Sequence, residues 1–470
     1  MLVSLSWRNV WRNRTRSMVV VVAVALGLWG GVTAMALING WVKQRIADSI
    51  MNEISHIQIH NPDFLLNEEV DKTFAFDSVS AGLDSIRQVV GYSGRLKVFS
   101  LAQTDRANLG LMVRGVDPKQ ENRVSGIPEK IILGDFLEGQ HKVPSMVIGK
   151  KAAEDLKLVN YELTDSIFAK LSALDTGLNS QLKRLMGKRF RSRPAFIKEL
   201  KVTLDRSLFA RWADAIADSC VSYRLNGPVA LTFQTTRGEL HSAMFRVRGI
   251  FRTSNTGFDA RTAYVRFDDL AVAAGIAPNY VHEVAILCKG SSEAKSLAGQ
   301  LSNTFHRLKV QSWDEISPEV ALYAAFGDFM GLIYVVIILF ALAFGIINTM
   351  MMSVLERYRE FGMLMAIGMN RLRIFNMIMM ESVFLTLTGG VVGIAFSTAF
   401  INFFARTGID FSMWAEGFEA LGYASVVYPQ ITLANYFLIT ILVIATGILA
   451  SLWPARRALK LHPIQALRVE

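Results

Sequence analysis

Apolar residues fall into four long runs separated by stretches of ordinary mixed composition. Residues 18–42 and 329–352 contain no Asp, Glu, Lys or Arg. Residues 374–404 are broken by a single charge, Glu381, and residues 433–453 by none. Each run reaches the roughly 20 residues a helix needs to cross a bilayer. The pattern predicts four transmembrane helices, with residues 43–328 between the first and second forming a large extramembrane domain. One rival concerns the first run. An Arg-rich start, an apolar centre and Ala34-Met35-Ala36 also resemble a cleaved signal peptide. The run exceeds an ordinary signal core and stays apolar through Leu37, Ile38 and Trp41, so retention as a helix is favoured.

Within 43–328 the period changes from that of helices to that of strands. His56-Ile57-Gln58-Ile59-His60 alternates as a half-buried strand does. Leu111–Val116, Ile131–Gly134, Met146–Gly149, Val229–Gln234, Ala243–Phe251, Thr262–Phe267 and Val284–Cys288 read as further strands. Helix-like Asp268–Ala274 and Glu293–Leu308 lie among them. The expected fold is an α-helical membrane protein with four transmembrane helices plus a large α+β periplasmic domain of two lobes. Segment 160–222 departs from this. Ile167, Leu171, Leu174, Leu178, Leu182 and Leu185 form a helical stripe, followed by Lys183, Arg184, Lys188, Arg189, Arg191 and Arg193. Such an insertion suits a solvated basic face, with anionic headgroups or an acidic partner as the sharper alternative.

Charge then orients the runs. The chain carries net +10, but segments 1–17, 353–373 and 454–470 hold twelve basic residues against three acidic ones. Loop 405–432 holds Arg406 against Asp410, Glu416 and Glu419. Positive charge favours the inner side, so both termini and 353–373 are expected in the cytoplasm of an inner-membrane protein. Domain 43–328 and loop 405–432 then face the periplasm. The basic balance is thus a topology signal, and no nucleic-acid motif accompanies it. A hydrophobic fraction of 51% with only 19% charged residues excludes disorder and agrees with a membrane protein.

Candidate chemistry is sparse. There is no phosphate-binding Gly-rich loop ending in Gly-Lys-Ser/Thr, no nucleophile elbow, no His-Glu-x-x-His and no Cys-x-x-Cys. No catalytic or metal-binding residue is assigned. Cys220 and Cys288 exclude a cysteine-rich site, and one disulfide between them stays open. His56 and His60 share a strand face without a third ligand, which suits two exposed histidines better than a metal. Glu381 is the lone ionisable residue inside a run. It lies near the cytoplasmic end, where pairing with Arg371 or Arg373 is expected. Gly27-x-x-x-Gly31 and Gly389-x-x-x-Gly393 have the spacing that lets membrane helices approach closely, although glycine is common in such helices anyway.

Residues 348–368, Asn-Thr-Met-Met-Met-Ser-Val-Leu-Glu-Arg-Tyr-Arg-Glu-Phe-Gly-Met-Leu-Met-Ala-Ile-Gly, resemble the segment after the second helix of FtsX/MacB-type ABC transporter permeases. Residues 454–468 resemble the closing motif of that family, and the order of one span, large domain and three spans matches it. Within the family, His56–His60, Val113–Pro118, Val147–Gly149 and Arg248–Asn255 running to Asp259 look most like the lipoprotein-releasing LolC/LolE group. The insertion at 160–222 departs from that group.

The resemblance implies a permease subunit with no ATPase site of its own. It would work with cytoplasmic ABC ATPase subunits that bind ATP and Mg, and with a second permease, identical or homologous. Membrane lipids, lipoproteins and a periplasmic carrier would be further partners. Segment 353–373 would be the coupling helix, with Glu356, Arg357, Arg359 and Glu360 bonding to the ATPase. Leu364 and Ile367 would give an apolar ridge, and Gly362 and Gly368 would permit close packing or a helix end. ATP-driven movement would pass along the first two helices by mechanotransmission and extract lipoproteins from the outer leaflet. Acyl contacts are expected at Met35, Ile38, Trp41, Phe329, Ile333 and Tyr334. The competing readings are a MacB-like efflux component and an FtsX-like signalling regulator of cell-wall hydrolysis. A membrane enzyme ranks below both.

Overall fold

The computed structural model describes residues 2–139 and 142–459. The closing motif from Lys460 onward lies outside the described residues. The chain divides into two compact units. One is helical, built from residues up to 46, 322–415 and from 424 on. The other is an α+β domain of residues 47–321 together with 416–423.

Among the described residues, four helices are long and apolar enough to cross a membrane. A short helix α1 (Leu2–Arg12) precedes the first of them, α2 (Arg14–Asp48). Then come α3 (Pro318–Glu356), the nine-residue α4 (Tyr358–Ala366), α5 (Arg371–Thr407) and α6 (Leu433–Leu459). All four apolar runs read from the sequence fall inside these long helices. Val24, Leu28, Val32, Val335, Leu342, Ile346, Met377, Leu385 and Val443 form their common core. Small residues set how close the helices come. A Cβ placed on Gly389 would lie 2.7 Å from the Cβ of Val24 and 2.8 Å from the Val21 carbonyl oxygen. On Gly393 it would lie 2.9 Å from the Cβ of Leu28. Gly27 and Gly31 are less confined, facing the ends of Leu342 and Ile439 side chains at 3.2 and 3.3 Å.

The α+β domain is organised by one ten-stranded sheet. Its strands are β1 (Ile57–His60), β2 (Val89–Gln103), β3 (Asn108–Val116), β4 (Ile131–Gly134) and β5 (Ser145–Gly149), then β6 (Pro228–Gln234), β7 (Leu240–Phe251), β8 (Thr262–Arg266), β9 (Glu283–Cys288) and β10 (Lys309–Ser312). Strand β6 pairs with β7 and also with the end of β2. The pairings β7–β5, β5–β8, β8–β3 and β3–β2 then close a ring of six strands. Closure removes the unpaired edges that an open sheet exposes. The alternating inward residues Val229, Leu231 and Phe233 of β6 meet Phe245, Val247, Val98 and Val113 in its core. The first half of β2 leaves the ring and pairs with β9, which continues through β1 to β10. This arm packs Ile57, Ile59, Val284 and Ile286 against Leu297 and Leu301 of helix Ser291–Thr304. The single sheet therefore serves two cores, with β2 common to both.

Arg95 marks the point where β2 passes from one core to the other. Its guanidinium is 2% exposed and donates to Glu121 at 3.0 and 2.7 Å and to Glu283 at 2.9 Å. Lys97 Nζ, 3.4 Å from Glu283, supplies a second cation, so the two buried carboxylates are matched in charge and hydrogen-bonded, which makes their burial tolerable. The nearby histidines are also buried. His60 has its Nδ1 3.1 Å from the His282 carbonyl oxygen and its Nε2 3.9 Å from Glu283. His56 accepts the Cys288 amide N–H at 3.2 Å. The expectation of exposed strand histidines is thus corrected: β1 lies between β9 and β10 and both its faces are covered. Among the described residues no group of three or more His, Cys, Asp or Glu is placed to hold a metal. Cys220 and Cys288 are free thiols in different cores.

The insertion has its own small fold. Strands Val159–Glu162, Arg189–Phe190 and Val221–Tyr223 pair beside four helices. Leu171, Leu178, Leu182, Leu185, Phe196, Leu200 and Ile216 form its core. The single stripe read from the sequence is interrupted at Asp175, whose side chain caps the second helix at Gly177. Three of its basic residues have acidic partners within it. Lys188 pairs with Glu199, Arg189 with Glu162, and Arg193 with Asp214 and Asp218.

Candidate functional site: the segment after the second long helix

Helix α3 stops at Glu356 because Arg357 leaves helical geometry (φ −94°, ψ 15°). The chain restarts at once as α4. That helix ends where Ile367, Gly368 and Met369 return their amides to Met363, Met365 and Leu364. Gly368 has φ +99° with nothing within 4 Å of where its Cβ would be, so this exit is one that glycine enters without steric cost. Asn370 then caps α5 by accepting the Leu372 amide at 3.1 Å.

One face of α4 is fastened into the helical unit. Phe361 is 1% exposed and Gly362 is buried, while Leu364 packs on the same core. Arg357 lies over the Phe361 ring at 5.0 Å. Its Nη1 donates to both oxygens of Glu381 at 2.9 and 2.8 Å, and its Nε to Glu360 at 3.1 Å. Glu360 also accepts from Arg12 at the end of α1. A chain of alternating charges, Arg12–Glu360–Arg357–Glu381, thus joins α1, α4 and α5 to the junction between α3 and α4. Partial burial pushes the Glu360 carboxyl up, but bonds from Arg357 and Arg12 hold it below its ordinary value. A cavity of about 310 Å³ adjoins the chain and is also lined by Ser17, Ser353 and Glu356.

The partner of Glu381 corrects the expectation of Arg371 or Arg373. Those residues precede it on the same helix by ten and eight positions. At about 1.5 Å per residue they start some 12–15 Å away along the axis, far beyond the three- or four-residue spacing at which helix neighbours meet. Glu381 is reached instead by Arg357, from the junction between α3 and α4. The apolar ridge is corrected too. Leu364 points into the core whereas Ile367, at the helix end, is 79% exposed. Exposed Met363 and Ile367 instead accompany exposed Arg359 on the outer side of α4.

The six candidate acyl contacts divide similarly. Met35 is 7% exposed with its sulfur against Gly331. Ile38 is half-buried, and Trp41 packs on Phe411 with ring centroids 5.4 Å apart. Phe329, Ile333 and Tyr334 are exposed along α3. The α+β domain separately holds a cleft of about 710 Å³ lined by Asp117, Lys119, Phe136, Arg266 and Phe267, for which the sequence offered no signal. Asp259, from the Arg248–Asp259 stretch, is buried and accepts from the Thr253 amide and hydroxyl. Burial outweighs those bonds and pushes its carboxyl up to about 6.

Residues 332–463 match the FtsX-like permease C-terminal family. The chain therefore carries an FtsX-like permease domain. It is 42% identical over 126 residues to the macrolide export ATP-binding/permease protein MacB of Chlorobium luteolum, a match covering 27% of this chain and 16% of that protein. It is 29% identical over 226 residues to the uncharacterized ABC transporter permease YknZ of Bacillus subtilis, covering 46% of this chain and 52% of that one. The chain thus spans about a sixth of the MacB relative and about half of YknZ. Among solved structures, the extracellular domain of YknZ and the periplasmic region of MacB from Actinobacillus actinomycetemcomitans align with 55% and 59% of the chain and 98% of their own lengths. Their identities are 15% and 10%, and both TM-scores are 0.29, too low to carry an argument.

Proposed function

We propose that the chain is the permease subunit of an ABC transporter and that α4 is the element through which a separate cytoplasmic ATPase moves it. The observation that carries this is the two-sidedness of α4. Its inner face is tied to three other helices by packing and by the charge chain, while Arg359, Met363 and Ile367 are left outside. A helix fixed on one side transmits force applied to the other. Exposed apolar residues beside an arginine suit a protein surface that supplies both an apolar hollow and carboxylates. ATP and Mg belong to the partner, and a second permease copy or homologue completes the assembly. The charge distribution supports a topology with α4 and both termini in the cytoplasm and the α+β domain in the periplasm.

Lipoprotein extraction is the finer reading. It is supported by the exposed apolar surface at Phe329, Ile333 and Tyr334. Burial of an acyl chain is worth about 0.8 kcal/mol per CH₂, so such cargo must be handed from one apolar surface to another, finally to a periplasmic carrier. Efflux of an amphiphile is favoured by the MacB relatives. The Arg248–Asp259 and His56–His60 stretches do not separate these readings, because His56, His60, Thr253, Ser254, Asn255 and Asp259 make bonds within the domain.

The test is co-purification from native membranes of an ATP-binding subunit, identified by photolabelling with azido-ATP. Ile367→Glu and Met363→Glu should each abolish it without lowering the permease's melting temperature. Capture that survives both substitutions removes α4 from this role. Photocrosslinkers at Phe329 and Tyr334 should label acylated lipoproteins if the finer reading holds.

A further inference from the structure

Glu381 is the one charge inside the four apolar runs of the sequence, and the structure gives it a partner that the proposed coupling role does not require. It lies ten residues into α5, 6% exposed, facing Ser382, Thr386 and Leu385 neighbours that are themselves buried. A carboxylate in such surroundings is costly unless matched. Arg357 matches it with two bonds from one nitrogen. Arg357 is also the one residue between α3 and α4, and its remaining bond goes to Glu360 on the first turn of α4. Its orientation therefore decides where α4 begins.

We infer that Glu381 is a positioning residue: from inside α5 it holds Arg357 and thereby sets the angle of α4 against the helical bundle. The Arg357–Phe361 contact and the Glu360–Arg12 pair extend the same hold to both sides of α4. With the anchor in place, a push on α4 turns α5 and α1 along with α3. Without it, α4 swings on its peptide connection and the push is dissipated. The inference rests on α4 being the coupling element, but the geometry it asserts can be read with no partner present.

The experiment uses the full chain in nanodiscs, with Cys220 and Cys288 replaced by alanine and spin labels at Met363→Cys and Leu387→Cys, both exposed positions. Pulsed electron–electron distance measurement should give one narrow peak in the parent. The double variant Arg357→Met with Glu381→Met replaces an ion pair by apolar side chains of similar bulk, an exchange that is often neutral or stabilising. Its melting temperature should match the parent while the narrow peak is lost. A purely structural ion pair would leave the peak unchanged, and a narrow peak in the double variant overturns the inference. Should that variant not fold, Glu381→Gln decides, since it keeps the shape and removes the charge: a broad distribution supports the hold and a narrow one overturns it. Glu381→Asp should restore part of the narrow peak. Failure here leaves the Ile367→Glu capture result untouched, so the two proposals fall separately.

Discussion

Alanine at Gly389 tests whether the helical unit is held at the distance the small residues set. The added Cβ would sit 2.7 Å from the Cβ of Val24 and 2.8 Å from the carbonyl oxygen of Val21. Unstrained carbon contacts lie near 3.5–4.0 Å, so about 1 Å must be found. Neither neighbour can rotate away, because one is backbone and the other is fixed to it; α2 and α5 must separate. Overpacking of this kind costs about 1–3 kcal/mol. Against it stands the helix preference of alanine over glycine, about 0.8–1 kcal/mol. Gly345→Ala in α3 isolates that second effect, because nothing lies within 4 Å of its Cβ position. The difference between the two variants cancels the propensity gain and leaves the packing penalty, about 1–3 kcal/mol. Gly27→Ala should fall between them, since the Leu342 side chain can yield. The assay is reversible unfolding of the full chain in mixed micelles, followed by circular dichroism against rising SDS. Equal stability of Gly389→Ala and Gly345→Ala would refute the close approach of α2 to α5.

In the α+β domain, Arg95→Met should destabilise by about 3–5 kcal/mol, because Glu121 loses its buried cation and Glu283 keeps only Lys97; a domain-specific shift in thermal unfolding below 1 kcal/mol would contradict the buried network. His282 accepts the Lys97 amide at Nδ1 and donates from Nε2 to Val70, and burial lowers it to about 4. Its folded value lies below its unfolded value, so stability is full above pH 6.5 and falls as acid is added toward pH 4. The slope of melting temperature across that window should flatten in His282→Gln, measured by differential scanning fluorimetry. Phe196→Ala should cost about 3–5 kcal/mol and melt the insertion, whose core Phe196 shares with Tyr161 and Phe190; hydrogen exchange should show the loss confined to residues 159–223.

What the sequence disclosed follows from the range over which each signal acts. The four long helices were legible because a bilayer imposes a length that composition alone reveals. The strands of the barrel were legible singly, since Val229, Leu231 and Phe233 alternate within one segment. Their closure was not, because it needs β6 to pair with β2, which joins residues more than a hundred positions apart, as Leu231 with Ala102, and no local pattern encodes it. The same holds for His56 and His60. A strand with two apolar residues between two histidines reads as one-faced, but Phe64, from outside the strand, stacks on the His60 ring and covers the second face.

The segment after α3 shows this limit within a dozen residues. Its charges suggest an interface, and Arg359 among them is exposed. Arg357 and Glu360 look equivalent to Arg359 in sequence, yet they face the other way. What separates them is Glu381, two dozen positions onward, whose buried carboxylate requires a cation from another helix. Once Arg357 is drawn inward, Glu360 follows it within one helical turn and Arg12 comes to Glu360. A single acid inside an apolar run therefore assigns a direction to three other charges. Arg359, Met363 and Ile367 are exposed on the other side of α4, the side proposed to meet the partner.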